Sequence, residues 1–384
     1  MRVLFIVEPD FLFLHVGVRR VILFYVQKLI AHGVDVSFGT PKQGQIYLGK
    51  IDFIPSLNDL SEPEKPCWTS SSRKFDNSKT NYLSNPYATV KWTEQKATPE
   101  EYDINLVTAP WICSLNIPPL PRMMGIVYDL VPNLLACECL HFPNYIDIYD
   151  FAGQHDLGFR YYIANAERVL CISNATRLDF LTMYRTVKNI PSVITDIPFE
   201  CNLQSSLTTS KKNTVLLVNA LDWRKNLKGI KETLMQAANQ TSFNLRVIGK
   251  ERINLNDAID FFEKISDTGV NVEWFRDASD DLLASQYSEA SVLLFPSIYE
   301  GLGLPVLEAQ ESGVPVITSN TSSCIEVNMN QELCFHPNDT TGMANSLAGV
   351  LNSTMPIKKG GNLRSTLDAF LSEGQSILDI FTIS

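Results

Sequence analysis

The chain is poor in several features that would fix its class at once. Eight cysteines in 384 residues are too sparse for a disulfide scaffold. Only Cys137 and Cys139 stand close together, and no second pair with histidine follows at zinc spacing. Reduced, buried thiols are the expectation. His15, His141 and His155 likewise have no Cys or carboxylate partner at metal-ligand spacing, so no metal site is read. Charged residues make up 19% of the chain, against roughly 25% in an average soluble protein. No apolar run nears the ~18–20 residues of a membrane span. The N-terminus is apolar, but Glu8, Pro9 and Asp10 interrupt it and no small-residue cleavage site follows. A cytoplasmic protein is expected, with peripheral contact at the inner face of a membrane left open. Positive charge is scarce too: 32 Lys and Arg against 42 Asp and Glu give a net charge of −10. Such a surface repels polyphosphate, so nucleic acid is excluded as a partner. An anionic small molecule needs only a local cluster of cations. No G-x-G-x-x-G follows any apolar run, which disfavours a dinucleotide oxidoreductase.

What is present is a repeated alternation of strands and helices. Val3–Val7 (VLFIV) is a short continuous apolar run, as expected of a strand buried on both faces. Residues 18 to 31 place apolar side chains at helical spacing, and Gly33 sits where a helix C-terminal glycine belongs. A second strand follows at 34–40. The unit predicts a parallel sheet with a right-handed crossover. Residues 60–100 are polar and rich in Ser, Asn and Pro, and read as a long loop or irregular excursion. Strands return at 104–109, 125–131 and 169–173, with a helix within 145–167. Ser173 or Asn174 is placed to cap a helix running toward Met183. Residues 201–213 have no periodicity, and a domain boundary is set there. The alternation restarts with strands at 214–220, 243–249, 270–275, 291–297 and 314–320, separated by helices near 225–239, 257–267, 280–289 and 304–312. A helix near 340–352 and an apolar tail at 364–384 follow. The expected fold class is α/β, with two Rossmann-like, doubly wound domains at 1–205 and 206–384 and the last helix able to pack back on the first. Sheets of this kind bind ligands beyond the C-terminal ends of their strands.

Two such strand ends carry a suggestive chemistry. In NALDWRKNLKGI, Asp222 is placed as an N-cap, which puts Arg224 and Lys225 in the first helical turn. Two cations are disfavoured there, by about 0.3–1 kcal/mol each. An anion bound at the turn would reverse that sign, since helix N-termini bind phosphates; two solvated side chains are the other reading. In SIYEGLGLPVLEA, Glu300 and Glu308 flank a loop holding Gly301 and Gly303. Carboxylates accept hydroxyl hydrogen bonds in pairs, and glycines let the backbone bring N–H groups against phosphates. The pattern suits a ligand with hydroxyls at both ends and phosphates between. A plain βα turn explains the glycines but not a glutamate on each side.

The segment EGLGLPVLEA, followed by SGVPVITSNTSSCIEV and preceded by RKN, resembles the donor site of family 4 retaining glycosyltransferases. The likeness covers residues 214–352 in order and spacing. The N-terminal half is similar only in layout: a Gly-bearing loop after the first strand, YDL at 128–130 and CISNAT at 171–176. The resemblance implies a GT-B architecture, with acceptor binding in the first domain, nucleotide-sugar binding in the second and a central cleft. It implies that Arg224 and Lys225 hold the diphosphate and that Glu300 meets the sugar hydroxyls. Gly301, Leu302 and Gly303 offer backbone contacts, and Glu308 holds the ribose hydroxyls. Two departures stand out. Val218 and Asn219 replace the Gly-Arg pair that supplies a second diphosphate cation in many members, which shifts that role to Arg224. Gly17-Val18 and Tyr128-Asp129 replace Gly-Gly and His-Asp. Gly17 and Asp129 are the acceptor-side candidates, and a strand-end cap is the other reading of Asp129.

The chain has no D-x-D, so a metal-bridged diphosphate is not expected and the cation pair takes the metal's part. No cofactor is implied. The expected partners are a GDP-, UDP- or TDP-linked sugar and a saccharide or lipid-linked saccharide acceptor. The implied activity is hexosyl or deoxyhexosyl transfer in the synthesis of a bacterial surface polysaccharide, O-antigen or capsule. A sugar phosphorylase or nucleotide-sugar epimerase on the same fold, or a non-catalytic saccharide-binding protein, are the alternatives.

Overall fold

The computed structural model describes residues 1–12, 16–53, 65–77, 88–135, 148–185, 191–194, 213–355 and 375–382. His15, Cys137, Cys139, His141, the stretch 201–212 and most of the apolar tail lie outside the described residues. The chain divides into two units: residues 1–59, 86–199 and 371–384 form the first, and 60–85 with 200–370 the second.

The first unit is built on an eight-stranded sheet. Its parallel part comprises β1 (Arg2–Ile6), β2 (Asp35–Lys42), β6 (Ile104–Val107), β7 (Met123–Val127), β8 (Arg168–Cys171) and β9 (Ser192–Val193). Antiparallel β3 (Gln45–Phe53) and β5 (Ala88–Lys96) extend it at one edge, giving the order β5-β3-β2-β1-β6-β7-β8-β9. β1 shows why the continuous apolar run was needed. Val3 and Phe5 enter one core while Leu4 and Ile6 enter the other, because successive side chains leave opposite faces of a strand. The helix Val16–Ala31 covers the first face with Ile22, Tyr25, Val26 and Leu29, and the C-terminal helix Ile377–Thr382 adds Ile380 and Phe381. Phe159 and Tyr162 of the helix Ile148–Asn165 cover the second. Tyr162 lies so close to Gly125 that a Cβ there would come within 2.6 Å of its ring, so β7 needs glycine at that point.

The second unit has a seven-stranded sheet. β10 (Thr214–Val218), β11 (Asn244–Ile248), β12 (Asn271–Phe275), β13 (Val292–Phe295), β14 (Val316–Ser319) and β15 (Cys334–Phe335) are parallel. With the two-residue β4 (Trp68–Thr69) at one edge, the order is β15-β14-β13-β10-β11-β12-β4. The first parallel strand thus has its second and fourth as neighbours, the arrangement of a doubly wound sheet. Its core gathers Leu217, Leu234, Phe262, Trp274, Leu294 and Ile317.

Two expectations need correction. The stretch 60–100 is not all loop: it contains the exposed edge strand β5 as well as β4. β4 pairs antiparallel with β12, so residues 60–85 belong to the second unit although the sequence places them in the first half. The reason is the burial of Trp68, 1% exposed against Phe262 at a ring distance of 5.2 Å. No helix among the described residues is long and apolar enough to cross a membrane.

Candidate functional site

The second unit's sheet reverses its winding between β10 and β13, and such a switch point opens a crevice at the C-terminal ends of the two strands. Both chemistry-bearing segments follow those strands. After β10 the backbone takes a left-handed residue, Asn219 (φ 51), and reaches Asp222. The Asp222 carboxylate accepts the Arg224 N–H at 3.0 Å. Residues Trp223–Lys225 form a single 3-10 turn, and Asn226, again left-handed (φ 62), caps the following helix Leu227–Ala238 by accepting the Gly229 N–H at 3.2 Å. Arg224 and Lys225 therefore lie in a tight turn before the α-helix, not in its first turn. Asn tolerates the left-handed conformation, which lets the chain turn twice here without glycine.

After β13 the chain passes Ser297 and Glu300 and enters the helix Leu304–Glu311 through Gly303, whose φ of +89 favours glycine. The two corners are joined. The Ile298 N–H donates to the Arg224 carbonyl at 2.8 Å. The Lys225 ammonium donates to Glu300 Oε1 at 2.5 Å and lies 4.4 Å from the centre of the Phe295 ring. Arg224 stands 3.6 Å from Glu300 Oε2. Glu300 is thus held by both cations, and the three side chains together carry one net positive charge. Burial works against ionisation of Glu300, but the charges of Lys225 and Arg224, with the Lys225 hydrogen bond, outweigh it and hold the carboxyl below its ordinary value. Burial also pulls the Lys225 ammonium below its ordinary value, against the attraction of Glu300. Lys225 and Glu300 side chains are 8% and 9% exposed, while Arg224 keeps 18%, so Arg224 is the most accessible of the three.

The other candidates are more scattered. Gly301 and Leu302 are buried within the loop after Glu300. Glu308 is buried on the helix, and its Oε2 accepts the Tyr287 hydroxyl at 2.7 Å. Tyr287 belongs to the helix Asp280–Glu289, and nothing in its sequence context signalled a role. Gly17 and Asp129 lie in the first unit. Gly17 is an exposed residue in the first turn of the helix Val16–Ala31 rather than in the loop before it. Asp129 accepts the Val131 N–H at 3.0 Å, one residue ahead of Leu130, the N-cap of the short helix Val131–Leu134. Among the described residues no group of three or more His, Cys, Asp or Glu side chains is placed to hold a metal ion.

Residues 199–364 match the sequence model of the family described as "Glycosyl transferases group 1". That stretch, somewhat under half of the chain, is similar to group 1 glycosyltransferases. It contains both corners of the Arg224–Lys225–Glu300 cluster. Among curated proteins, the chain is similar to the O-antigen chain mannosyltransferase B of Escherichia coli, at 30% identity over 132 residues, 34% of each chain. It is also similar to the O-antigen chain mannosyltransferase RfbU of Salmonella typhimurium, at 34% identity over 79 residues, 21% of this chain and 22% of that one. The matches thus span about a third and about a fifth of these relatives' lengths. Among solved structures, Anabaena HepE in complex with UDP and glucose covers 100% of this chain and 98% of its own, with a TM-score of 0.57 at 15% identity. WaaG, described as a glycosyltransferase involved in lipopolysaccharide biosynthesis, covers 99% and 98%, with a TM-score of 0.55 at 13% identity. At such identities the likeness establishes the GT-B fold class alone.

Proposed function

We propose that the chain is a retaining glycosyltransferase that moves a hexose from a nucleotide-diphosphate sugar to a saccharide acceptor in the synthesis of a bacterial surface polysaccharide. The observation that carries the proposal is the Arg224–Lys225–Glu300 cluster at the switch point of the second unit's sheet. The O-antigen relatives are named as mannosyltransferases, which favours mannose as the hexose and O-antigen as the product class. One structural neighbour, HepE, was solved in complex with UDP and glucose, which supports a nucleotide-sugar donor.

The chemistry follows from the charges. As the bond between the sugar and the diphosphate breaks, negative charge grows on the diphosphate and positive charge on the anomeric carbon. Arg224 and Lys225 stabilise the first as preorganised cations in a water-poor corner. Glu300 offsets one of their two charges. When the diphosphate takes over their charge, the carboxylate is released to accept the sugar hydroxyls. Glu308, oriented by Tyr287, accepts those of the ribose. The acceptor hydroxyl attacks from the face the diphosphate leaves. Its proton passes to a departing phosphate oxygen, so configuration is retained and no side-chain base is needed. Gly17 and Asp129 serve the acceptor side from the first unit. The cation pair replaces a divalent ion, no cofactor takes part, and transfer occurs in the cytoplasm.

The test is a thermal-shift panel of UDP, GDP, TDP and ADP, followed by transfer assays with the matching nucleotide sugar, with and without a chelator. A diphosphate at a hundredfold its Kd adds about 2.7 kcal/mol to stability. One of the four is expected to raise the Tm of the wild type and not of Arg224→Ala, and the chelator is expected to leave turnover unchanged. Absence of stabilisation by all four overturns the proposal.

A further inference from the structure

The main chain of Glu300 is hydrogen-bonded at both its polar groups by a neighbouring segment. The end of β14 and the residues after it, Ser319 to Ser323, present four side-chain hydroxyls to the backbone of Ser297–Glu300. Ser319 Oγ donates to the Ser297 carbonyl. Thr321 Oγ1 lies 3.2 Å from the same carbonyl and 2.9 Å from that of Ile298. Ser322 Oγ accepts the Glu300 N–H at 2.9 Å, and Ser323 Oγ donates to the Glu300 carbonyl at 3.0 Å. Both main-chain polar groups of Glu300 are therefore taken by adjacent serines. Ser319 and Ser323 are fully buried, where a lost partner costs more than it would in water. Ser322 does this from a left-handed backbone, with φ of 47. A non-glycine residue is costly there, and such strain persists only where the surroundings hold it.

We infer that Ser322 and Ser323 are positioning residues for Glu300, fixing its main chain so that only the side chain moves between the cation pair and the sugar. The inference rests on the donor-site reading of Glu300. The segment could instead hold its own turn together and touch Glu300 by coincidence. Two facts argue against that. The hydroxyls engage three residues of another strand's exit loop, Ser297, Ile298 and Glu300, and the strained residue is the one whose acceptor meets Glu300. The consequence for the reaction is specific. Donor affinity depends mainly on the diphosphate and its cations, so a loosened Glu300 impairs the transfer step more than binding.

The test uses the full-length chain with Ser322→Ala, Ser322→Gly, Ser322→Asn and Ser323→Ala. Glycine accepts the backbone angle without offering an acceptor, and asparagine offers both. Ser322→Ala, Ser322→Gly and Ser323→Ala are expected to lower kcat about ten- to a hundredfold, with the Kd of the stabilising nucleoside diphosphate changed by no more than about twofold. The acidic limb of their pH–rate profiles is expected to move to higher pH, since a wandering carboxylate loses part of its cation contact. Ser322→Asn is expected to stay close to wild type. Amide hydrogen exchange of the peptide carrying Glu300 is expected to quicken in both Ser322→Ala and Ser322→Gly, with no need for turnover. Unchanged exchange in those two variants overturns the positioning role even if the wild type transfers no sugar, whereas that lack of transfer counts against the proposed function alone. If Ser322→Gly matches wild type while Ser322→Ala does not, backbone strain and not the hydroxyl is the cause, and the inference falls.

Discussion

At the scale of residues, the chain concentrates its few well-placed cations where they can act. Lys225 and Glu300 are a buried pair 2.5 Å apart, with Arg224 at 3.6 Å. Buried pairs often break even against apolar substitutes, yet removal of one partner typically costs about 3–5 kcal/mol because the other is stranded. Lys225→Met and Glu300→Gln should each destabilise on that order. The double variant should lose less than the sum, since neither charge is then left alone. Urea unfolding of the four proteins at pH 7 checks this. The sign of the pH dependence follows from the depressed Glu300 carboxyl. Its contribution is fully present above the unfolded value of roughly 4.3 and fades as pH falls through the native one. The coupling measured by the cycle should therefore shrink on acidification. Coupling equal to zero at pH 7 would show that the contact is not formed. Activity should fall about a hundred- to a thousandfold in either single variant, the scale seen when one preorganised charge-stabilising group is lost.

At the scale of elements, the sequence was readable where physics is local. Continuous apolar runs gave the buried parallel strands, and the glycine-bounded loop before Leu304 marked a strand-to-helix corner. Glu300, Arg224 and Lys225 could be selected as candidates from charge and spacing. Their mutual contact spans 75 residues and could not be read from either corner alone. Three things were hidden for identifiable reasons. β5 is an exposed edge strand with mostly polar side chains, so its stretch looked like loop. The 3-10 turn at Trp223–Lys225 depends on Asn226 adopting a left-handed backbone, which residue type permits but does not demand. The hydroxyls of Ser319–Ser323 carry no periodicity and gain meaning only from what packs against them. One element-level expectation follows from Gly303. It occupies the N-cap position of the helix Leu304–Glu311 at φ 89, and a Cβ there would meet nothing nearer than 3.6 Å. Any cost of Gly303→Ala must then come from the backbone and not from crowding, at about 1–3 kcal/mol. Gly303→Asn should cost less, because asparagine visits that region more readily. Thermal unfolding of the two variants separates these causes: equal losses would point to crowding instead.

At the scale of the whole molecule, the two units are not two consecutive lengths of chain. The second borrows residues 60–85 from within the first half of the sequence. That insertion covers the edge of β12, which would otherwise present unpaired backbone groups. The Cys67 N–H donates to the Trp274 carbonyl at 2.8 Å and the Ser70 N–H to that of Val272 at 3.0 Å. Ser70 Oγ accepts the Val272 N–H at 2.7 Å, and Arg73 pairs with Asp267 at 2.8 Å. Trp68 is buried between these polar contacts, and Phe75 stacks on Trp274 at 5.5 Å. The segment is thus bound by backbone pairing plus one large apolar anchor, the way an added strand binds a sheet edge. A chain cut to residues 200–370 loses all of it and should unfold at lower temperature or aggregate through the bare edge. A synthetic peptide of residues 65–77 should raise the Tm of that fragment in a saturable way, because it binds only the folded form. The same peptide carrying Trp68→Ala should fail to do so, since truncating a buried Trp costs about 3–5 kcal/mol. Equal rescue by both peptides would mean that backbone pairing alone holds the segment. No rescue by either, with the fragment as stable as the intact chain, would mean that the second unit is complete without the borrowed strand.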